Sequence, residues 1–353
     1  MVSILVLATA TVLVFLAAAS ALWLGARWFG QRRSFPRVIG ATLVFSLALL
    51  GMRAGVAELR PPLWEFFATR TAYPLDQWTL FCGQVVLGSF LIWLSVKFVL
   101  RVPFVVALLV SLPVLLVAFV TVPAVPLVFR PYVLEEQRLY SGSMCPTLLG
   151  MSQTKSCSQC GAISYTPWVI EKAPGDEQGR LCTCSTCWHV EHSDELAPPI
   201  IQPDAFVVNK LLTPRRWDLV YYHAPHVPQA EGRPARLNYV KRVIGLPGEE
   251  VVIKDGAVWI NGERLVPPED IARLRFLDTV ANDEPIRWGS ARRPAKLGPE
   301  EYFVVGDFGR HSNDSRTWNN LIAGRSPFGL PTSHIVGVVD LRYGPLSRWH
   351  VFR

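Results

Sequence analysis

Two serines one residue apart stand directly after the last long apolar segment of the chain. Ser141, Gly142 and Ser143 begin the stretch SGSMCPTL. A simple turn is one interpretation, because Ser and Gly both favour turns. Gly142 would also allow a sharp bend that brings both hydroxyls to the same side. One of them could then act as a nucleophile, provided that another part of the chain supplies a base.

A lysine further along the chain is a candidate for that base. Lys241 lies between Val240 and Val243 in the strand-like sequence YVKRVIGLPGE. Burial of an amine lowers its pKa from about 10.4, because the charged form loses its hydration. The neutral amine could then take the proton of a serine hydroxyl, without any His or Asp. Taken alone, Lys241 is more simply a surface lysine, and Ser143 a turn serine.

A third stretch of polar residues follows the strand-like sequence YFVV. GDFGRHSNDSRTW, from Gly306 to Trp318, contains two acids, two arginines and two serines. As an isolated string it would be a solvated turn with local ion pairs. Its position after a strand nevertheless makes it a third candidate for the same site.

Four stretches in this order resemble the type I signal peptidase (leader peptidase) family. They are SGSMCPTL, YVKRVIGLPGE, VVIKDGAVWINGERL and GDFGRHSNDSR, followed by the tail GLPTSHIVGVVDLRYGPLSRW. The resemblance covers residues 131–353, apart from one insertion. It implies a membrane-bound serine endopeptidase that removes signal peptides from exported preproteins, with small-residue specificity of the Ala-x-Ala type. It also implies that no cofactor is needed for catalysis.

The resemblance assigns a role to each matching residue. Ser143 matches the nucleophile and Lys241 the general base. Ser141 matches the hydroxyl that helps the Ser143 N–H to hold the oxyanion, and Ser312 the serine that orients the lysine amine. The residues that match the substrate pocket and the charged surroundings of the site are Met144, Arg242, Asp307, Asp314 and Arg316.

Two positions depart from the family pattern. The family loop commonly continues Gly-Asp-Asn-Arg, whereas Phe308 and Gly309 follow Asp307 in this chain. Cys145 stands where many relatives carry Met or another apolar side chain. Neither change affects the serine and lysine pair, so an active enzyme is still expected.

The elements that would position these residues differ between the two parts of the chain. A bilayer-spanning helix needs about 20 apolar residues, and four stretches are candidates: Ile4–Ala26, Val38–Met52, Gln77–Val96 and Val102–Phe129. A cleaved signal peptide does not fit the first stretch, because it lacks a basic start. Arginines crowd the first loop, and Lys97 and Arg101 lie in the third. The positive-inside rule therefore places residues after 130 on the periplasmic or extracellular face of the cell membrane.

The sequence beyond residue 130 has mainly the two-residue periodicity of strands. AFVVNK, WDLVYYHA, NYVKRVIGL, EVVIKDGAVWINGERLV, EYFVVGD and HIVGVVDLRYG are short and bounded by turn residues. The predicted fold is an α-helical transmembrane region, residues 1–130, followed by a mainly β extramembrane catalytic domain, residues 131–353. A Cys-rich insertion, residues 151–198, lies within the second.

The insertion contains two Cys-x-x-Cys pairs and resembles a zinc ribbon. Four thiolates in this spacing suit one tetrahedral zinc, and the predicted ligands are Cys157, Cys160, Cys184 and Cys187. Cys182 or one of the histidines at 189 and 192 could replace one of them. Disulfide bonds are the alternative, since the segment is predicted to lie outside the cell.

Composition and domain content limit the competing functions. The net charge of +7 comes without a dense basic run, which argues against nucleic acid as a partner and fits an anionic lipid surface. A self-cleaving Ser/Lys repressor would carry a soluble DNA-binding domain in place of the apolar half. A catalytically silent membrane receptor that uses the ribbon to bind partners is the other alternative. The expected partners are membrane-anchored preproteins, the lipid bilayer and the translocation machinery.

Overall fold

The computed structural model divides the chain into two compact units. One is Leu5–Val128, and the other combines Met1–Ile4 with Phe129–Arg353. The structure describes residues 2–28, 36–44, 46–47, 77–124, 130–139, 141–167, 180–193, 197–225, 238–279, 285–319, 322 and 324–353.

The first unit is helical. Its long helices are α1 (Val2–Trp28), α2 (Gln77–Leu100) and α3 (Phe104–Ala124), and residues 36–44 and 46–47 are also helical. Small residues allow close helix packing, since a Cβ on Gly25 would lie 3.0 Å from the Val110 carbonyl oxygen. Leu22, Val96 and Val110 belong to the apolar core between the helices.

The four predicted membrane spans are not confirmed. Within the described ranges, no helix has both the length and the apolar sequence that crossing a membrane requires. Residues 45 and 48–52 of the second predicted span, Val38–Met52, and residues 125–129 of the fourth lie outside the described residues. The number of spans and their orientation therefore stay predictions.

The second unit confirms the prediction of a mainly β catalytic domain. After a helical turn, α4 (Arg130–Tyr132), the described strands are β1 (Leu134–Arg138), β2 (Ser152–Ser156), β3 (Ile163–Pro167), β4 (Arg180–Cys184), β5 (Val190–Ser193), β6 (Ala197–Ile201), β7 (Ala205–Asn209), β8 (Leu219–His223), β9 (Asn238–Gly245), β10 (Glu250–Lys254), β11 (Ala257–Ile260), β12 (Glu263–Arg264), β13 (Ala295–Lys296), β14 (Glu301–Val305), β15 (Leu330–Pro331), β16 (Ile335–Gly344) and β17 (His350–Val351).

These strands form three sheets. The largest has the order β1-β7-β16-β8-β9-β14-β15, with β17 paired to β16, and every pairing in it is antiparallel. A smaller sheet has the order β12-β11-β10-β13, and the insertion forms a third, β5-β4-β3-β2-β6. The insertion is therefore a folded sheet, which periodicity alone did not predict.

The large sheet is buried on both faces near its middle, and this explains the apolar runs in its central strands. One apolar cluster includes Met144, Phe206 and Val240, and another includes Tyr222, Val243 and Val304. The six C-terminal residues of β9 are all buried. A charged side chain in the middle of β9 is thus removed from water by its position in the sheet.

The turn between β10 and β11 is determined by local sequence. Asp255 and Gly256 have φ values of 55° and 71°, and β10 pairs directly with β11 on either side. Two residues with positive φ are characteristic of the type I′ hairpin turn, and Asp-Gly favours it.

Candidate active site

The structure brings Ser143 and Lys241 together. Ser143 lies in the loop between β1 and β2, and Lys241 lies in β9. The Lys241 amine is hydrogen-bonded to the Ser143 hydroxyl. Both side chains are buried, with Lys241 only 1% exposed. A serine hydroxyl in contact with a buried amine is an arrangement suited to nucleophilic catalysis.

Burial changes the acidity of this amine. Removal from water lowers the pKa of Lys241 from 10.5 to about 8. The negative charge of Asp314 opposes this change, and the positive charge of Arg316 adds to it. An appreciable fraction of the amine is therefore neutral near neutral pH and can accept a proton.

Ser141 lies beside the same pair. Its Oγ is 3.3 Å from the Ser143 Oγ, so the two hydroxyls are on the same side of the loop, as their spacing predicted. Met144 is fully buried in the apolar cluster next to the loop. Met144 directly follows Ser143, so its buried side chain anchors the loop beside the nucleophile.

Ser312 is placed differently from what the resemblance implied. Its Oγ is buried and forms no hydrogen bond within the described part of the chain, so the expected bond to the lysine amine is not seen. The side chain instead lies against Gly306. A Cβ on Gly306 would be 2.2 Å from the Ser312 Oγ and 2.5 Å from the Ser143 carbonyl oxygen. Gly306 thus allows the nucleophile loop and the loop after β14 to meet at the site.

Two buried ion pairs stabilise the loops around the site. Arg242 binds both carboxylate oxygens of Asp307, at 2.8 and 2.6 Å. Arg316 binds both oxygens of Asp314, each at 2.8 Å. Burial raises the pKa of Asp314, but the charge and hydrogen bonds of Arg316 outweigh it and leave the pKa below its ordinary value.

These pairs also hold the backbone. The Gly306 N–H donates to Asp314 at 2.9 Å, and Arg316 donates to the carbonyl oxygens of Leu277 and Gly309. The Thr147 hydroxyl, on the nucleophile loop, donates to Asp307. The charged residues named from the sequence therefore connect the loops, and none of them contacts the Ser143 hydroxyl.

A second support of the nucleophile loop was not predicted. Asp204 is fully buried and accepts a hydrogen bond of 2.8 Å from the Leu149 N–H. Arg348 binds both Asp204 oxygens, at 3.0 and 2.9 Å, and donates to the Pro146 carbonyl oxygen. The Arg342 guanidinium donates to the Thr147 carbonyl oxygen. Basic residues within the family-like tail were the only sequence signal for this arrangement.

The cysteine ribbon brings its four predicted ligands together. The ligand sulfurs of Cys157, Cys160, Cys184 and Cys187 all lie within 4.8 Å of one another. Individual Sγ–Sγ distances are 3.7 Å for Cys157 and Cys187, 3.5 Å for Cys160 and Cys184, and 3.4 Å for Cys160 and Cys187. Sulfurs bound to one tetrahedral zinc stand about 3.8 Å apart, given Zn–S bonds of about 2.3 Å.

The local backbone of the ribbon also fits a metal site. The N–H groups of Thr186 and Cys187 point at the Cys184 sulfur, each at 3.4 Å. Such bonds favour the thiolate form, which is the form that binds metal. Gly161, directly after Cys160, has a φ of 70°, which a glycine adopts readily. Cys182 is buried in β4 and does not belong to the cluster.

Comparisons with known proteins give one family. The model of the signal peptidase family, peptidase S26, matches residues 184–344. The probable signal peptidase I-1 of Synechocystis sp. is 30% identical over 162 residues, which cover 44% of this chain and 70% of the relative. Signal peptidase I P of Bacillus subtilis subsp. natto is 27% identical over 164 residues, covering 45% and 78%. A crystal structure of a signal peptidase I from Enterococcus faecalis matches at 25% identity, 36% and 97% coverage, and a TM-score of 0.25.

Proposed function

This chain belongs to the signal peptidase family, peptidase S26, and we propose that it cleaves signal peptides from exported preproteins as a Ser/Lys serine endopeptidase. The observation that carries the proposal is the buried contact between the Ser143 hydroxyl and the Lys241 amine. A catalytically silent receptor would have no need for a buried amine at a serine hydroxyl, because burying the amine is costly.

The proposed mechanism uses this contact twice. Lys241 removes the proton of the Ser143 hydroxyl as its Oγ attacks the carbonyl carbon of the scissile bond. The oxyanion is held by the Ser143 N–H and the Ser141 hydroxyl, a type of contact whose loss typically costs about 10²–10³ in rate. Protonated Lys241 then gives its proton to the leaving amine. In the second half, Lys241 activates the water that hydrolyses the acyl-enzyme and regenerates Ser143.

Substitutions at the pair test the proposal. Ser143→Ala and Lys241→Ala should abolish cleavage of a preprotein in detergent, while the protein stays folded. Lys241→Arg should also be inactive, because a guanidinium does not lose its proton at working pH.

The chain offers matched controls for these variants. Ser333 is exposed, and the Lys296 side chain is 81% exposed, so Ser333→Ala and Lys296→Ala should cleave at the normal rate. Ser312→Ala should slow the reaction less than loss of either member of the pair. Cleavage by Ser143→Ala or Lys241→Ala would show that the pair is not the catalytic centre.

We further propose that the ribbon cysteines hold one structural Zn²⁺. Four thiolates close a tetrahedral shell, so such a metal would leave no position open for substrate. The mutual approach of all four sulfurs supports this over two separate disulfides, whose bonded sulfurs stand about 2.05 Å apart. The metal would order the ribbon and take no part in the reaction.

Metal analysis of the purified protein tests the zinc proposal. About one zinc per chain is expected, with thiols that react only after a chelator is added. Cys187→Ser should lower the zinc content, whereas Cys145→Ser should not, because Cys145 lies outside the cluster. Two disulfides found by mass spectrometry before and after reduction would refute zinc binding and leave the Ser/Lys proposal untouched.

The membrane setting belongs to the same proposal. Substrates would be preproteins still anchored in the bilayer, and the enzyme a multi-pass protein with its catalytic domain on the outer face of the cell membrane. The proximity of Ser143 to the end of the last apolar stretch supports this, since few residues separate them. Contacts with the translocation machinery would follow from that location.

A further inference from the structure

The ribbon packs directly on the loop that carries the nucleophile. Cys145, Leu149, Tyr165 and Phe308 form one buried apolar cluster. Tyr165 is in β3 of the ribbon, whereas the other three belong to the loops around Ser143. The partly buried ribbon residues packed against the same cluster are Leu181, Val190 and Ile201. The apolar side of the insertion is therefore covered by the active-site loops.

Two residues of this cluster, Cys145 and Phe308, lie close to the nucleophile. Cys145 is two residues after Ser143, and its sulfur lies 3.9 Å from the Tyr165 carbonyl oxygen. The Phe308 N–H donates a hydrogen bond of 3.1 Å to the Ser143 carbonyl oxygen. Phe308 thus holds the Ser143 backbone with its own backbone while its side chain lies in the cluster with Tyr165. Cys145 and Phe308 both lie at places where the sequence departs from the family pattern.

The ribbon has a second anchor at its other cysteine pair. Trp188, directly after Cys187, packs against the apolar cluster that includes side chains of the β12-β11-β10-β13 sheet. Its φ of 60° is unusual for a residue with a side chain. Arg273 donates to the Thr186 carbonyl oxygen at 3.1 Å. The segment with Cys184 and Cys187 is therefore fixed to the catalytic unit as well.

We propose that the ribbon is a positioning element for Ser143, which acts through the contact of Tyr165 with Cys145 and Phe308, and that metal binding by the four cysteines keeps this contact formed. The proposal rests on the function and the zinc site proposed above. The ribbon strands are short and largely polar, so the metal supplies the order that an apolar core would otherwise give. Displacement of reacting groups by about 1 Å can cost about 10²-fold in rate.

Substitutions in β3 test the contact. Tyr165→Ala should lower kcat by about 10–10²-fold with little change in KM, and Tyr165→Phe should restore it, because the ring makes the contact. Ile163, on the same strand, is 53% exposed and outside the cluster, so Ile163→Ala is the matched control and should leave kcat unchanged. All three variants should retain about one zinc per chain, which separates loss of the contact from loss of the metal.

Hydrogen exchange gives a readout that does not depend on activity. Removal of zinc from the full-length protein should speed exchange in peptides covering residues 141–149 and 306–312. The peptide covering residues 92–100 of the helical unit should not change, because its buried side chains pack in a cluster without residues of the nucleophile loop or the ribbon. Chelation should lower kcat strongly in the normal protein and hardly at all in Tyr165→Ala, since both changes remove the same contact.

The outcomes separate this inference from the proposed function. Normal kcat in zinc-loaded Tyr165→Ala, or unchanged exchange around Ser143 after zinc removal, would overturn it. Two disulfides in place of zinc would overturn its metal-dependent part. Cleavage by Ser143→Ala would overturn the Ser/Lys proposal, while the exchange comparison would still report whether the ribbon holds the loop.

Discussion

At the scale of single residues, neighbouring cations on β9 are stabilised in different ways. Lys241 is buried against Ser143, and its pKa falls to about 8 because burial disfavours the charge. Arg242, the next residue, is also buried but forms a bidentate ion pair with Asp307. The amine without a carboxylate bonded to it is the one suited to accept a proton. The arginine is suited to a structural role instead.

The lowered pKa predicts how activity depends on pH. Below about pH 8 most of Lys241 is protonated and cannot accept the Ser143 proton, so kcat/KM should rise as pH increases through about 8. A pH–rate profile with a peptide substrate measures the midpoint. An acidic optimum would contradict the assignment of Lys241 as the base.

The free energy of unfolding should also depend on pH through the ionisation of Lys241. The folded pKa of about 8 lies below the ordinary 10.5, so between these values the unfolded chain binds more protons than the folded one. The free energy of unfolding should therefore rise with pH across this window. Lys241→Met removes the titrating group and should show a smaller rise in denaturant titrations.

Gly306 gives a second prediction at this scale. Gly306→Ala would place a methyl group 2.5 Å from the Ser143 carbonyl oxygen and 2.2 Å from the Ser312 Oγ. Since real Cβ atoms do not approach backbone so closely, the loops must separate and kcat should fall by about 10²-fold or more.

A matched glycine distinguishes this steric effect from a general one. Gly40 has nothing within 4 Å of an added Cβ, and its φ is not in the left-handed region. Gly40→Ala should therefore keep normal turnover in the same peptide assay. Normal kcat in Gly306→Ala would show that the close approach of these two loops is not needed for catalysis.

At the scale of elements, the nucleophile loop is held by the segments on either side of it in space. Asp204 directly precedes β7 and accepts a hydrogen bond from the Leu149 N–H. Arg348, in the segment after β16, binds both carboxylate oxygens of Asp204. The ribbon supplies Tyr165 from β3. The described residues of the loop form turns and no helix or strand, so these contacts fix its conformation. Supports far from Ser143 in sequence should consequently affect turnover.

Arg348→Ala tests the support from the chain end. It removes two hydrogen bonds to buried Asp204, for which Arg342 at 3.7 Å would be the remaining ion-pair partner. Stability should fall by about 1.5–3 kcal/mol, as expected for hydrogen bonds to a buried charge. Turnover should fall as well, because the Pro146 carbonyl oxygen loses its hydrogen bond and Asp204, which holds the Leu149 N–H, loses its bidentate partner.

An exposed ion pair provides the control for that variant. Arg325 binds Glu300, whose side chain is 63% exposed, and such pairs contribute about 0–1 kcal/mol. Arg325→Ala should leave both the urea midpoint and kcat close to normal. If Arg348→Ala behaved like Arg325→Ala, the chain end would not be a support of the loop.

At the scale of the whole molecule, the chain combines an apolar helical unit with a β unit that carries the site. The multi-pass topology remains a prediction from loop charges. Its consequence for function is direct, since the site must face the compartment that contains exported preproteins.

Labelling of introduced cysteines tests this topology. Residues 27–37 and 97–101 should be labelled only after the membrane is permeabilised, and sites after residue 131 should be labelled in intact cells. A suitable site in the second group is Val266, which is 87% exposed. Labelling of Val266→Cys only after permeabilisation would show that the orientation is inverted. The protease would then lie in a different compartment from its substrates.

Features that depend on a few neighbouring residues could be predicted from the amino-acid sequence. The strands of the catalytic domain followed from two-residue periodicity, the β10–β11 hairpin from Asp255-Gly256, and the four clustered cysteines from their spacing. The family followed from four short motifs in order. Each strand, the hairpin turn, each Cys-x-x-Cys pair and each motif is encoded in a short continuous stretch, so one chain without relatives was sufficient to predict it.

The tertiary structure alone decided how distant segments meet. Ser143 and Lys241 are 98 residues apart, and their contact depends on the order of strands in the large sheet. The support by Asp204 and the packing of Tyr165 on Phe308 also join separate segments. Ser312 was matched by motif, yet its hydroxyl forms no hydrogen bond in the described part of the chain. Burial, and with it the lowered pKa of Lys241, is a property of the assembled fold and is not encoded in any local stretch.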